Sequence, residues 1–149
     1  MISRLRGVVV ERAADLVIIE CGGVGYGLSV SLATLSRLPL DEREVTLRVT
    51  TVVTQDNIRL YGFLTREEQT CFDKLTGTTG VGPKLALAIL SALSPKELRE
   101  VVARGDREIL TRIPGVGRKK AERLLLELKD RIGDGALLPD GAVDPLGDL

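Results

Sequence analysis

The sequence predicts an α+β protein: a small five-stranded barrel over the first 64 residues, then an all-α segment. Three observations carry this. In "EVTLRVTTVV", Val45, Leu47 and Val49 alternate with Thr46, Arg48 and Thr50, the two-residue period of a half-buried strand. From Thr65 the period becomes helical, and Ala121, Leu124, Leu125, Leu128 and Ile132 mark one face of the last helix. Strands and helices do not alternate along the chain, which argues against a doubly wound parallel sheet.

The elements follow in order. "GVVV" (Gly7–Val10) and "DLVIIE" (Asp15–Glu20) are β-branched runs. Tyr26, Leu28 and Val30 alternate in "GYGLSVS", the Val45 run follows, and "RLYGF" (Arg59–Phe63) closes the series. Gly22, Gly23, Pro39 and the Asp56-Asn57 pair supply turns. Periodicity fits an OB-type closure and an SH3-like one equally. Thr65 and Glu68 have capping-box spacing, so a helix is expected to start near Arg66 and stop before Gly77. Ser94-Pro95-Lys96-Glu97 is a second box, with proline where its missing N–H costs nothing. That helix is expected to end at Gly105. Asp106 can cap the next, with Pro114 as its stop. Residues 133–149 hold four glycines, two prolines and four aspartates and read as a flexible acidic tail. The expected organisation is therefore 1–64, 65–132 and 133–149.

Composition removes several chemistries. The 149 residues contain no histidine, which excludes histidine bases and nucleophiles and mixed Cys/His zinc sites. Cys21 and Cys71 share no metal or redox spacing and read as reduced, buried thiols. The amino terminus is too charged for a signal peptide, and no apolar run approaches membrane-spanning length. A soluble cytoplasmic protein is expected. Net charge is zero, yet residues 104–131 carry nine basic residues against five acidic ones. Such an asymmetry points to a polyanion partner.

"GVGPKLA" (Gly80–Ala86) and "GVGRKKA" (Gly115–Ala121) repeat one turn at an offset of 35 residues. A dinucleotide fingerprint fails, because Leu85 and Lys120 stand where a third glycine is needed. A P-loop fails as well, because Pro83 separates Gly82 from Lys84 and no Ser or Thr follows. The remaining reading is a hairpin between two helices, the second beginning at the glycines. Amides at a helix start lack intrahelical acceptors and bind phosphate oxygens, and glycine lets the backbone approach closely. Lys84 or Lys119 then adds a full charge, while Val81 and Val116 plug each hairpin into the helical core. One such turn is ordinarily a connector. Two copies, the second followed by Arg118, Lys119 and Lys120, favour phosphate contact. Lys120 and Arg123 join the candidate set, although solvated helix positions would also explain them.

On these residues the chain resembles the RuvA family of bacterial Holliday-junction-binding subunits. The resemblance rests on "MISRLRG", "GGVGYG" (Gly22–Gly27), "LYGF" (Leu60–Phe63), "GVGPKLALAIL" (Gly80–Leu90) and "PGVGRKKAERLLLELKDR" (Pro114–Arg131). It implies an OB-type barrel followed by two helix-hairpin-helix motifs, and no catalytic, metal or cofactor site. It also implies a homotetramer of fourfold symmetry, or an octamer on DNA, holding an opened four-way junction alongside the partners RuvB and RuvC. Carried over residue by residue, it puts Gly80, Gly82, Lys84, Gly115, Gly117, Arg118 and Lys119 on phosphates.

The sequence departs from the family in two places. The family usually has two adjacent acids in the loop before "LYGF", forming a pin at the junction centre; here Gln55 and Asp56 stand there, with a single charge. Family members also continue beyond a flexible linker into a domain that docks RuvB, so the resemblance implies that this contact is lost from these 149 residues. Two other functions fit these residues less well. A helix-hairpin-helix glycosylase or lyase would need a nucleophile and rings to hold a flipped base, and aromatics are only 3% of the chain. A single-strand-binding barrel would have only Tyr26, Tyr61 and Phe63 for stacking, with Tyr61 and Phe63 expected on opposite faces of their strand.

Overall fold

The computed structural model describes residues 1–132; the expected tail, 133–149, lies outside them. The chain divides into two compact units, Met1–Gln69 and the residues from Thr70 on.

The first unit is a closed barrel of five strands: β1 (Arg4–Arg12), β2 (Leu16–Cys21), β3 (Val24–Ser29), β4 (Glu44–Val53) and β5 (Ile58–Phe63). Their order around the barrel is β1-β2-β3-β5-β4. β1 pairs with both β2 and β4, and Val8 faces Glu20 on one side and Glu44 on the other. The register slips between Val9 and Glu11, a bulge that increases the strand's bend. β3 and β5 close the barrel by the one parallel pairing. This order separates the OB-type closure from the SH3-like one, which periodicity alone left open. Leu5, Val17, Ile19, Leu28, Val30, Leu38, Leu47 and Val49 form its buried core. Tyr61 and Phe63 are both buried. They share a face, as residues two apart on a strand must, which corrects their expected placement on opposite faces.

A helix absent from the sequence reading, α1 (Leu32–Arg37), lies between β3 and β4. Ser31 caps it, its hydroxyl accepting from the Thr34 amide at 3.1 Å, and Pro39 restricts Leu38 to extended backbone at its end. The next helix, α2 (Arg66–Thr76), starts where expected, and Thr65 Oγ accepts from the Glu68 amide at 3.2 Å. Glu68 does not return the bond as a capping box requires. Its buried carboxylate instead accepts the hydroxyls of Ser31 at 3.2 Å and Thr34 at 2.6 Å. A buried carboxylate needs donors, and the hydroxyls of the α1 cap and of its first turn supply them. Gln69 adds a second tie, accepting from Arg48 Nε at 2.9 Å and donating to the Val49 carbonyl and Thr50 hydroxyl of β4. Cys71 is buried as expected, whereas Cys21 is only half-buried. Its thiol pKa is raised above the ordinary value, chiefly by burial.

The second unit contains α3 (Pro83–Ala92), α4 (Pro95–Arg104), α5 (Arg107–Thr111) and α6 (Arg118–Ile132). α4 has the full Ser94/Glu97 box and ends at Gly105 in the left-handed conformation, φ +66°. Asp106 caps α5. That helix stops at Thr111, and Pro114 lies beyond it, in the following turn. α6 packs against α4 and α5 through the buried Ala121, Leu124 and Leu128.

Candidate nucleic-acid interface

Each glycine repeat builds one turn with one geometry. Gly80 has φ +82° and Gly115 has φ +91°, values that disfavour any residue with a Cβ. The Val81 amide donates to the Thr78 carbonyl at 3.1 Å, and the Val116 amide to the Ile113 carbonyl at 3.0 Å. In both, the glycine is the third residue of a type II-like turn. Val81 and Val116 are buried and anchor the turns in the helical core. The second glycine then opens the helix: the Ala86 amide donates to the Gly82 carbonyl at 3.0 Å, and the Ala121 amide to the Gly117 carbonyl at 2.9 Å. Amides ahead of that first bond lack intrahelical acceptors and lie at the positive end of the helix dipole.

The two turns line one cleft of about 640 Å³, walled by Thr79, Gly80, Gly115, Gly117, Arg118, Lys119, Lys120 and Arg123. Seven of the nine phosphate candidates named from the sequence are thus brought together. Gly82 and Lys84 are exposed but are not among these walls. The walls carry four cations and no acid, and none is aromatic.

Sequence reasoning missed two members of this arrangement. Thr79 lines the cleft, and its hydroxyl donates to Glu127 Oε1 at 3.0 Å, with its amide 3.5 Å from the same oxygen. Glu127 Oε2 lies 3.6 Å from Arg123 Nε. One carboxylate of α6 therefore holds two wall residues, one from each hairpin. The available signal was the i, i+4 spacing of Arg123 and Glu127.

The other candidates lie on the barrel. Gln55 and Asp56 form the exposed tip of the β4–β5 hairpin. The Thr54 amide donates to the Asn57 carbonyl at 2.8 Å, and Thr54 Oγ accepts from the Asn57 amide at 3.2 Å. The threonine side chain thus joins the backbone in closing the loop.

No helix among the described residues is long and apolar enough to cross a membrane. Residues 1–62 match the family model described as the RuvA N terminal domain, and residues 72–130 match the SAM-like helix-hairpin-helix tandem. A protein of Rubrobacter xylanophilus is 49% identical over 131 residues, 88% of this chain and 67% of its own length. One from Acidobacterium capsulatum is 47% identical over 134 residues, 90% and 68% of the two chains. One from Symbiobacterium thermophilum is 47% identical over 155 residues, covering 99% of this chain and 76% of that one. All three are named Holliday junction branch migration complex subunit RuvA. Similarity of this extent through both units shows that the chain belongs to the RuvA family.

Proposed function

We propose that this chain binds four-way junction DNA without sequence preference, as the non-catalytic, junction-holding part of a branch-migration complex. The observation that carries the reading is the meeting of both glycine turns and four cations in a single cleft. Phosphate contacts fix position on a duplex without reading bases. A cleft without rings offers a flipped base nothing to stack on, which speaks against a repair enzyme. Gly80, Gly82, Lys84, Gly115, Gly117, Arg118, Lys119, Lys120 and Arg123 are the proposed phosphate-binding set. Four copies around a fourfold axis, as one tetramer or as two in an octamer, would each hold one arm. A weak grip per arm then becomes a strong one by multivalency.

Competition between a labelled four-way junction and linear duplex of equal length, at fixed salt, tests this reading. The junction is expected to win strongly, in a complex sized for four or eight subunits. Equal competition would leave a duplex-binding protein that does not recognise a crossover.

Gln55 and Asp56 are proposed as the pin at the junction centre. One acid per subunit repels approaching phosphates less than the usual two; a like-charge contact near 4 Å in water costs about 1 kcal/mol. Asp56→Asn is expected to keep junction binding but to reduce opening at the crossover, read as lower fluorescence of 2-aminopurine placed there. Unchanged fluorescence would remove the pin from the proposal.

A further inference from the structure

The 35-residue offset that superposes Gly80 on Gly115 also superposes Lys84 on Lys119 and Leu85 on Lys120. The structure shows what the last pair does. A Cβ built on Gly115 would lie 3.4 Å from Leu85 Cδ1, and one built on Gly80 would lie 3.9 Å from Lys120 Cε. Each hairpin's glycine turn is therefore covered by the helix of the other hairpin, at the same position of the repeat. The contacts exchange as a local two-fold requires.

The chemistry at the two positions differs. Leu85 ends in a methyl group over the second turn. Lys120 lays an apolar stem over the first turn and carries an ammonium one atom further on. Consistent with this, Lys120 is half-buried, whereas its neighbours Arg118 and Lys119 are exposed. The first hairpin also has less of its own to offer an anion. Its helix begins Pro83, Lys84, Leu85, with Ala88 a turn later, where the second has Arg118, Lys119, Lys120 and Arg123. Pro83 has no N–H to donate. α6 meets the first turn a second time through Glu127, which fixes Thr79.

We propose that Lys120 is a second cation of the first hairpin, beside Lys84. Its ammonium binds the phosphate held at the Gly80–Gly82 turn, across the cleft from the hairpin to which it belongs in sequence. This rests on the reading of both turns as phosphate sites.

A scan of single methylphosphonate substitutions along one junction arm tests it, because each removes one phosphate charge. Lys84→Met marks the phosphate of the first hairpin and Lys119→Met that of the second, as the position where each variant no longer senses the substitution. Lys120→Leu places at this position the residue that already packs there in the other half, so the fold is kept. It is expected to weaken junction binding about tenfold and to lose sensitivity at the Lys84 phosphate while retaining it at the Lys119 phosphate. Lys120→Arg is expected to restore both. Loss at the Lys119 phosphate instead, or no loss anywhere, would overturn the assignment. A wild-type chain indifferent to every substitution would overturn it too, and with it the phosphate reading of the turns.

Discussion

Arg118→Gln with Lys119→Gln is expected to weaken four-way-junction binding more than about a hundredfold near 0.1 M salt and to flatten its salt dependence. Both residues line the cleft and follow the second glycine turn, the phosphate site proposed above. Each phosphate neutralised releases condensed counterions, contributing about 0.9 to the slope of log affinity against log salt. In a fourfold assembly the double change is repeated on every arm, so its effect multiplies where a monomeric binder would show it once. Binding isotherms at several salt concentrations measure both quantities. Lys96→Gln with Lys129→Gln removes the same charge from exposed positions that do not line the cleft, and is expected to cost far less. Equal losses from the two pairs would assign affinity to overall charge and dissolve the cleft as a site.

Gly7→Ala is expected to be the most damaging single methyl group in the barrel. Gly7 is buried where β1 passes from β2 to β4, and a Cβ there would collide with the backbone carbonyl oxygen of Glu20. It would also stand 2.9 Å from Cys21 Sγ. A flexible side chain could move away, but a carbonyl in a strand pair cannot without opening the pairing. The expected cost is about 3 kcal/mol or more, a fall of over about 10 °C in the melting of a unit this size. Gly27→Ala is the control, since its Cβ would meet only Leu16 Cδ1 at 4.0 Å. Without a collision, the lower unfolded-state entropy of alanine is expected to stabilise the strand by about 0.5 kcal/mol. Thermal melts followed by far-ultraviolet circular dichroism compare the two. Similar melting temperatures would show that β1 can shift to admit a side chain.

The period of the apolar residues made β4 and α6 legible, β-branched runs marked β1 and β2, and cap residues and breakers placed α2, α4 and even the five-residue α5. α1 was not legible. Six residues hold less than two turns, and its Leu32 is exposed, so no stripe forms. What holds α1 is Glu68, more than thirty residues further along the chain. The same bond explains the failed box at Thr65: local spacing offered Glu68 one partner, and the folded chain offered it two better ones. In the site, repetition made the glycine turns visible and also hid Thr79. Pro114 holds the equivalent position, so comparing the two copies erased the hydroxyl. Lys120 could be named as basic, but its destination depends on how two helices cross, which no spacing along one helix records.

The exchange of contacts between the halves has a consequence for how an arm is seated. The two antiparallel strands of a duplex are themselves related by local two-folds. A reader with a perfect two-fold of its own would accept an arm facing either way. Leu85 opposite Lys120, and Pro83 opposite Arg118, break that equivalence while leaving the backbone repeat intact. With phosphates held at both turns as proposed, the inward-facing and outward-facing seatings would differ in energy, and the duplicated turn would acquire a sense of direction along the DNA.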